Sequence, residues 1–139
     1  MYILDTDTLT HLHKGNDKVR NHLKNAADFE FVTTIVTKVE ILRGRIDFLL
    51  KANDGFNLEK AQQFLIESEN LLAQIPILKF EKNSLDKFDE LRQNSKFRKI
   101  GRNDLLIASI CLANHGVLVT RNTRHFKQFQ NLDVENWVD

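Results

Sequence analysis

The chain has 139 residues, of which 42% are hydrophobic and 28% are charged, and its formal net charge is +1. This length predicts a single domain, residues 1–139, with a core of ordinary size. A charge so close to neutral excludes a global attraction to nucleic acid or anionic membranes, so such binding would need a local patch. The sequence lacks a stretch of the roughly 18 apolar residues that a membrane span needs. With a single cysteine and no signal peptide, we expect a protein of the reducing cytoplasm that binds no membrane.

Short apolar runs alternate with helical patterns along the chain, starting with a predicted strand at Tyr2–Leu4. The later predicted elements are helices at about 6–14 and 17–25, a strand at 29–33, helices at 35–52 and 58–74, a strand at 75–78, a helix at 84–94, a basic loop at 96–102, a helix at 104–115, a strand at 117–119 and a last strand around Val134 and Trp137. This alternation predicts an α/β fold with a central, mostly parallel sheet of four or five strands and helices on both faces.

The predicted helix at 104–115 is apolar almost all round between Leu105 and Ala113. Such a helix is usually buried between other elements, so the residues at its start should lie near the centre of the fold. Asp104 begins this predicted helix, and Asn103 is the expected N-cap. Taken by itself, Asp104 could simply complement the helix dipole.

Three other polar residues are predicted near the same edge of the sheet. Asp5 follows the first strand, Asn122 follows the fourth, and Glu40 lies about one turn into the helix after the second strand. Each has an ordinary explanation by itself, as a cap, a polar turn or a solvated helix face. Together with Asp104 they would place three carboxylates and an amide where open α/β sheets bind ligands. Carboxylates so close together favour a hard divalent cation such as Mg²⁺, which supports phosphodiester hydrolysis.

The loop Lys96–Arg102 is strongly basic and directly precedes Asp104. It is either a solvated loop or a clamp for the backbone of a nucleic acid, with Lys99 and Arg102 as candidate RNA-binding residues. Arg121, beside Asn122, is a third candidate. The five histidines are scattered and the single cysteine, Cys111, lies in an apolar stretch, so a structural zinc site is not expected.

Four segments carry a resemblance to a known family, in this order along the chain: Tyr2–Asp7, Thr37–Gly44, Ile100–Ala108 and Leu118–Phe126. They resemble the PIN-domain ribonucleases, and most closely the VapC-type toxins of prokaryotic toxin–antitoxin pairs. The resemblance implies a three-layer α/β/α PIN-like fold and RNA cleavage that depends on Mg²⁺, with Mn²⁺ as an alternative. It also implies a cognate antitoxin that blocks the site, a homodimer, and an RNA substrate for which transfer RNA is one candidate.

Residue roles follow from the same resemblance. Asp5 and Asp104 would be the metal ligands, Glu40 would orient the metal or a water, and the fourth position would be Asn122, or His125 in a shifted alignment. The family commonly has a carboxylate at that fourth position, and Asn or Ser where Asp7 stands. The missing carboxylate puts a second metal ion in doubt.

Two other interpretations fit parts of the sequence. The segment Asp5-Thr6-Asp7-Thr8 also matches the opening motif of haloacid-dehalogenase-like phosphatases, in which Asp5 would be the nucleophile. That class needs a late pair of acids after a strand, and we find none. A catalytically degenerate PIN domain that only binds RNA is the second alternative, and the absent fourth carboxylate favours it.

Overall fold

The computed structural model describes residues 1–139, and its centre is a five-stranded sheet in the order β3-β2-β1-β4-β5. All four strand pairs are parallel, and the strands are β1 (Tyr2–Leu4), β2 (Phe31–Thr34), β3 (Ile77–Leu78), β4 (Val117–Val119) and β5 (Asp133–Glu135). The prediction of a parallel α/β sheet with four or five strands is therefore confirmed, with five.

Seven α-helices connect the strands, and their bounds lie within a few residues of the predicted ones. They are α1 (Thr6–His13), α2 (Asp17–Asn25), α3 (Ile35–Leu50), α4 (Gly55–Ala73), α5 (Lys82–Gln93), α6 (Arg102–Asn114) and α7 (Thr123–Phe126), with a short 3₁₀ helix at Ser95–Phe97. Helix α7 was not predicted, because one turn is too short to show a helical period. None of these helices combines the length and the low polarity that a membrane span requires.

Several strand boundaries differ from the prediction by one or two residues, including the start of β3 at Ile77, and two of these differences have local reasons. The second strand begins two residues late, because the N–H of Phe29 donates to the carbonyl of Ala26 at 3.0 Å and closes a turn. The last strand stops before Trp137, which is buried and donates its ring N–H to a carboxylate oxygen of Glu135 at 3.0 Å. Trp137 is thus a core residue beyond the sheet.

Alternate residues of the central strands enter two separate cores. In β1, Ile3 belongs to a cluster that includes much of α6, whereas Leu4 belongs to one that includes Leu9, Val19 and Trp137. Because successive side chains of a strand point to opposite faces, these clusters are the two helix layers on either side of the sheet. The three-layer α/β/α arrangement is confirmed.

The buried helix α6 returns to the sheet through a tight connection at Gly116. A Cβ at this position would stand 2.5 Å from Cδ1 of Ile3, a side chain that is fully buried. Because Gly116 has no side chain, the α6–β4 connection can lie against β1. The start of α6 then lies at the opposite, carboxyl edge of the sheet.

Candidate active site

The strand order places a change of direction between β1 and β4. From β1 the chain adds β2 and β3 on one side, and then returns to add β4 and β5 on the other. The carboxyl edge at such a switch is where open α/β sheets form ligand sites. Leu4 pairs with Val119 in register, and the N–H of Asp5 donates to the carbonyl of Val119 at 3.1 Å. Asp5 therefore leaves the sheet directly beside the end of β4.

Asp5 is held firmly at the start of α1. It is the N-cap, and its Oδ1 accepts a hydrogen bond of 2.8 Å from the N–H of Thr8. Burial raises the pKa of Asp5, hydrogen bonds from Thr120 and Thr8 lower it in part, and the charge of Asp7 raises it. The carboxylate is thus fixed in position in surroundings that disfavour its charge.

Glu40 links the neighbours of Asp5 and Asp104. The hydroxyl of Thr6 donates to Oε1 of Glu40 at 2.7 Å, and the amide Nδ2 of Asn103 donates to Oε2 at 3.2 Å. Hydrogen bonds to an ionised acceptor are the stronger kind. One carboxylate from α3 therefore joins the residue after Asp5 to the residue before Asp104.

The position of Asn103 corrects a prediction. Helix α6 begins at Arg102 and Gly101 is its N-cap, so Asn103 does not cap the helix. It lies in the first turn, and its side chain bonds to Glu40. Sequence alone favours a cap for an Asn in that place, and the competing acceptor lies 63 residues away in the chain.

Asp104 lies in the first turn of α6 and is half-buried, with Nε2 of His125 at 3.1 Å from its Oδ2. Burial raises the pKa of Asp104, the neighbouring His125 lowers it in part, and the charge of Glu40 raises it. The influence of Glu40 on this pKa places the two carboxylates in one electrostatic environment.

Asn122, the fourth predicted position, makes no side-chain hydrogen bond to the three carboxylates. The side chain of Asn122 is exposed and makes no hydrogen bond within the protein, while its backbone N–H donates to Oγ1 of Thr120 at 3.1 Å. His125, one turn of α7 later, reaches Asp104 instead. The alternative alignment, with His125 at this position, agrees better with the contacts.

Asp7 and Arg121 form a second charged group beside the site. Oδ2 of Asp7 lies 3.7 Å from Nε of Arg121, and its Oδ1 lies 3.6 Å from Nδ1 of His11. Arg121 also donates two hydrogen bonds, of 3.3 and 3.2 Å, to the carboxylate of Asp139. The extra negative charge of Asp7 is therefore partly balanced, and the Arg121 guanidinium is already engaged by carboxylates.

The other two predicted RNA-binding residues line cavities that do not include Arg121. Lys99 lines a cavity together with His125, whereas the Arg102 guanidinium lies 5.6 Å from the centre of the Phe88 ring. The three basic candidates, Lys99, Arg102 and Arg121, therefore do not form one patch.

The donor set fits a hard divalent cation. Asp5, Glu40 and Asp104 offer carboxylate oxygens, and burial is the main cause that raises the pKa of Asp5 and of Asp104. No three His, Cys, Asp or Glu side chains stand close enough to enclose a metal ion by themselves. Mg²⁺ needs only one or two carboxylates and completes its octahedron with water and phosphate oxygens, so an open set of this kind suits it.

The fold and the placement of the acids define a class of protein, and comparison with known families agrees with it: residues 2–132 match the PIN-domain family model. The chain therefore belongs to the PIN-domain family. It is 29% identical over 140 residues to Ribonuclease VapC2 of Rickettsia felis, a match that covers 99% of this chain and 98% of that protein.

Solved structures show the same relationship. VapBC2 from Rickettsia felis, bound to a DNA fragment from its promoter, matches with a TM-score of 0.76 and 29% identity, over 98% of both chains. VapBC-1 from nontypeable Haemophilus influenzae matches with a TM-score of 0.77 over 99% of this chain and 98% of that one. At 22% identity the second match concerns the fold alone. The resemblance to VapC-type PIN domains is confirmed, and the family match favours it over a haloacid-dehalogenase-like phosphatase.

Proposed function

We propose that this protein is a divalent-metal-dependent endoribonuclease and the toxin of a toxin–antitoxin pair. The observation that carries this proposal is the Glu40 carboxylate, whose two oxygens accept hydrogen bonds from Thr6 and Asn103. These residues directly adjoin Asp5 and Asp104, which supports a common role for the three acids at the switch point of the sheet. The ribonuclease name of the Rickettsia felis relative agrees with this chemistry.

Each residue then has a defined task. Asp5 and Asp104 would hold Mg²⁺ or Mn²⁺, and Glu40, fixed at both oxygens, would orient a water in the same pocket. The bound ion would supply Lewis-acid stabilisation of the charge that develops on the phosphodiester. Asn122, exposed at the start of α7, would position a water or a substrate oxygen.

The direct test is cleavage of total RNA, and of purified transfer RNA, by protein freed of any bound partner. We expect cleavage with Mg²⁺ or Mn²⁺, none with EDTA, and none by Asp5→Asn at saturating Mg²⁺. Asp28→Asn is the matched control, because Asp28 is an exposed aspartate with no part in the site. RNA that binds but survives with both metals would establish the degenerate binding module, and cleavage by Asp5→Asn would refute the metal-ligand assignment.

A partner protein is the second part of the proposal. Seven of the nine exposed large apolar side chains lie on α3 and α4: Val39, Ile46, Phe48, Leu50, Phe56, Leu58 and Ile66. Apolar exposure of this extent on one helix pair marks an interaction surface. Because matching structures are VapBC complexes, we assign the α3–α4 surface to a cognate antitoxin, and we expect the toxin itself to form a homodimer.

The antitoxin gene is expected next to the toxin gene, and the two products should copurify when coexpressed. Phe56→Ser should weaken this copurification, because the Phe56 side chain is 78% exposed on α4. Leu85→Ser on α5, also an exposed apolar residue, should leave it unchanged. Equal copurification of both variants would contradict the assignment. So would a wild-type toxin dimer that Phe56→Ser converts to a monomer in light scattering, because a second toxin copy would then cover the α3–α4 surface.

A further inference from the structure

Two adjoining cavities border the segment between α5 and α6. One has a volume of about 500 Å³ and the other of about 310 Å³, and both are lined by Ser95, Arg98 and Ile100. Their volumes are in the range of sites that bind small organic groups. Because they share these lining residues, the two cavities are neighbours on the surface, and we call the pair the basic track.

The basic track is lined by cations alone among charged residues. Its walls contain no Asp or Glu and five cations: Arg92, Lys96, Arg98, Lys99 and Arg102. Arg92 is paired with Asp89 at 3.0 Å, and the other four make no ion pair. A third cavity, of about 530 Å³, has Asp86 and Glu90 in its wall. Since the whole chain carries only +1, this is a local concentration of positive charge of the kind that binds a phosphate backbone.

The basic track leads directly to the candidate metal ligands. His125 lines the larger cavity, and its Nε2 lies 3.1 Å from Oδ2 of Asp104. An RNA strand in the cavity would therefore be separated from Asp104 by one side chain, that of His125. Arg121, the third basic candidate, is paired with Asp139 and Asp7, so its charge is partly balanced.

We propose that the basic track binds the phosphates of single-stranded RNA on one side of the cleaved bond and thereby fixes the direction in which the substrate crosses the site. Arg98 and Lys99 would bind the phosphates nearest to His125. Arg102, whose guanidinium lies 5.6 Å from the centre of the Phe88 ring, would bind the next ones along the strand. This inference rests on the proposed endoribonuclease function, because it assigns RNA to the same pocket.

Binding in the absence of cleavage tests the basic track by itself. The affinity of a labelled single-stranded 12-nucleotide RNA is measured by fluorescence anisotropy in EDTA between 50 and 400 mM salt. For single strands each phosphate contact contributes about 0.7 to the slope of log affinity against log salt. Loss of one contact should therefore reduce the slope by about 0.7, so that the weakening of binding is about fourfold greater at 50 mM than at 400 mM salt.

We expect this change for Lys99→Gln and for Arg98→Gln, with the two effects adding in the double variant. Lys24→Gln, an exposed lysine of α2 with the same change of charge, is the control and should keep the wild-type slope. Slopes of both track variants equal to the control, or no binding by the wild type, would overturn the proposal. Cleavage by the wild type is scored separately, so loss of the track and loss of nuclease function give different results.

Discussion

The hydroxyl of Thr6 offers a way to disturb the orientation of Glu40 without removing any charge. Thr6→Val keeps the shape of the side chain and deletes only the atom that donates to Oε1 of Glu40 at 2.7 Å. Asn103 would then hold the carboxylate alone, through a longer bond of 3.2 Å. The variant therefore tests whether the position of Glu40, and not merely its charge, matters for cleavage.

The size of the effect follows from the kind of bond that is lost. A hydrogen bond to a charged group contributes about 1.5–3 kcal/mol, and partial exposure of this pair reduces that to about 1–2 kcal/mol. If the same free energy is lost from the transition state, cleavage falls about tenfold for each 1.4 kcal/mol. We expect a five- to thirtyfold fall in kcat/KM, with a melting temperature that drops by only a few degrees.

The assay is steady-state cleavage of a fluorogenic RNA at saturating Mg²⁺, with thermal unfolding measured in parallel. Thr6→Ser, which retains the hydroxyl, should restore most of the rate. Thr10→Val is the matched control, because Thr10 lies in the same helix and its hydroxyl donates to the carbonyl of Thr6, not to an acid. A Thr6→Val rate equal to that of Thr10→Val would refute the role given to the Thr6–Glu40 bond.

Three further predictions concern charge, metal and packing. The pKa of Asp5 is raised in the folded state, so the contribution of this group to stability is complete below its unfolded value near 3.8 and is lost as pH rises through the folded value. In EDTA, the melting temperature of Asp5→Asn should therefore exceed that of the wild type by a margin that increases from pH 4 to 7. A margin that shrinks over this range would contradict the direction of the pKa shift. Glu40→Gln should weaken Mg²⁺ binding in calorimetry more than it lowers the melting temperature; the reverse order would make Glu40 a structural residue. Gly116→Ala should lower the free energy of unfolding by about 1–3 kcal/mol through overpacking, because its Cβ would meet Cδ1 of Ile3 at 2.5 Å. Ile3→Val deletes that Cδ1 atom, so the effects of the two substitutions should not add in the double variant. Purely additive effects would refute the clash.

The sheet could be predicted from sequence because its signals are local. Three of its strands are short apolar runs between polar segments, and the apolar helix α6 indicated a buried layer without further information. The parallel pairing follows from the alternation of strands and helices. The order of the strands could not be predicted in this way. Hydrophobic periodicity does not indicate whether β4 lies beside β1 or beside β3, and only the structure places β4 beside β1.

The candidate site was predictable as a set of acids but not as a network of contacts. Asp5, Glu40 and Asp104 come from the ends of elements that meet at one sheet edge, and such positions can be inferred from topology. The donors to Glu40 could not, because the bond to Asn103 joins residues 63 apart and the bond to Thr6 joins residues 34 apart. His125 was only an alternative to Asn122, since a one-turn helix gives no period from which to choose the inward-facing residue.

The electrostatics of Asp104 connect the geometry of the site to metal binding. A carboxylate in the first turn of a helix is favoured in its ionised form by the helix dipole, and the neighbouring His125 acts in the same direction. The pKa of Asp104 is nevertheless raised, so burial and the charge of Glu40 outweigh both influences. A divalent cation between these carboxylates would offset the cost of their ionisation and add its binding free energy to the stability of the fold. The same burial that disfavours charge in the metal-free protein is therefore what makes the pocket suited to a cation.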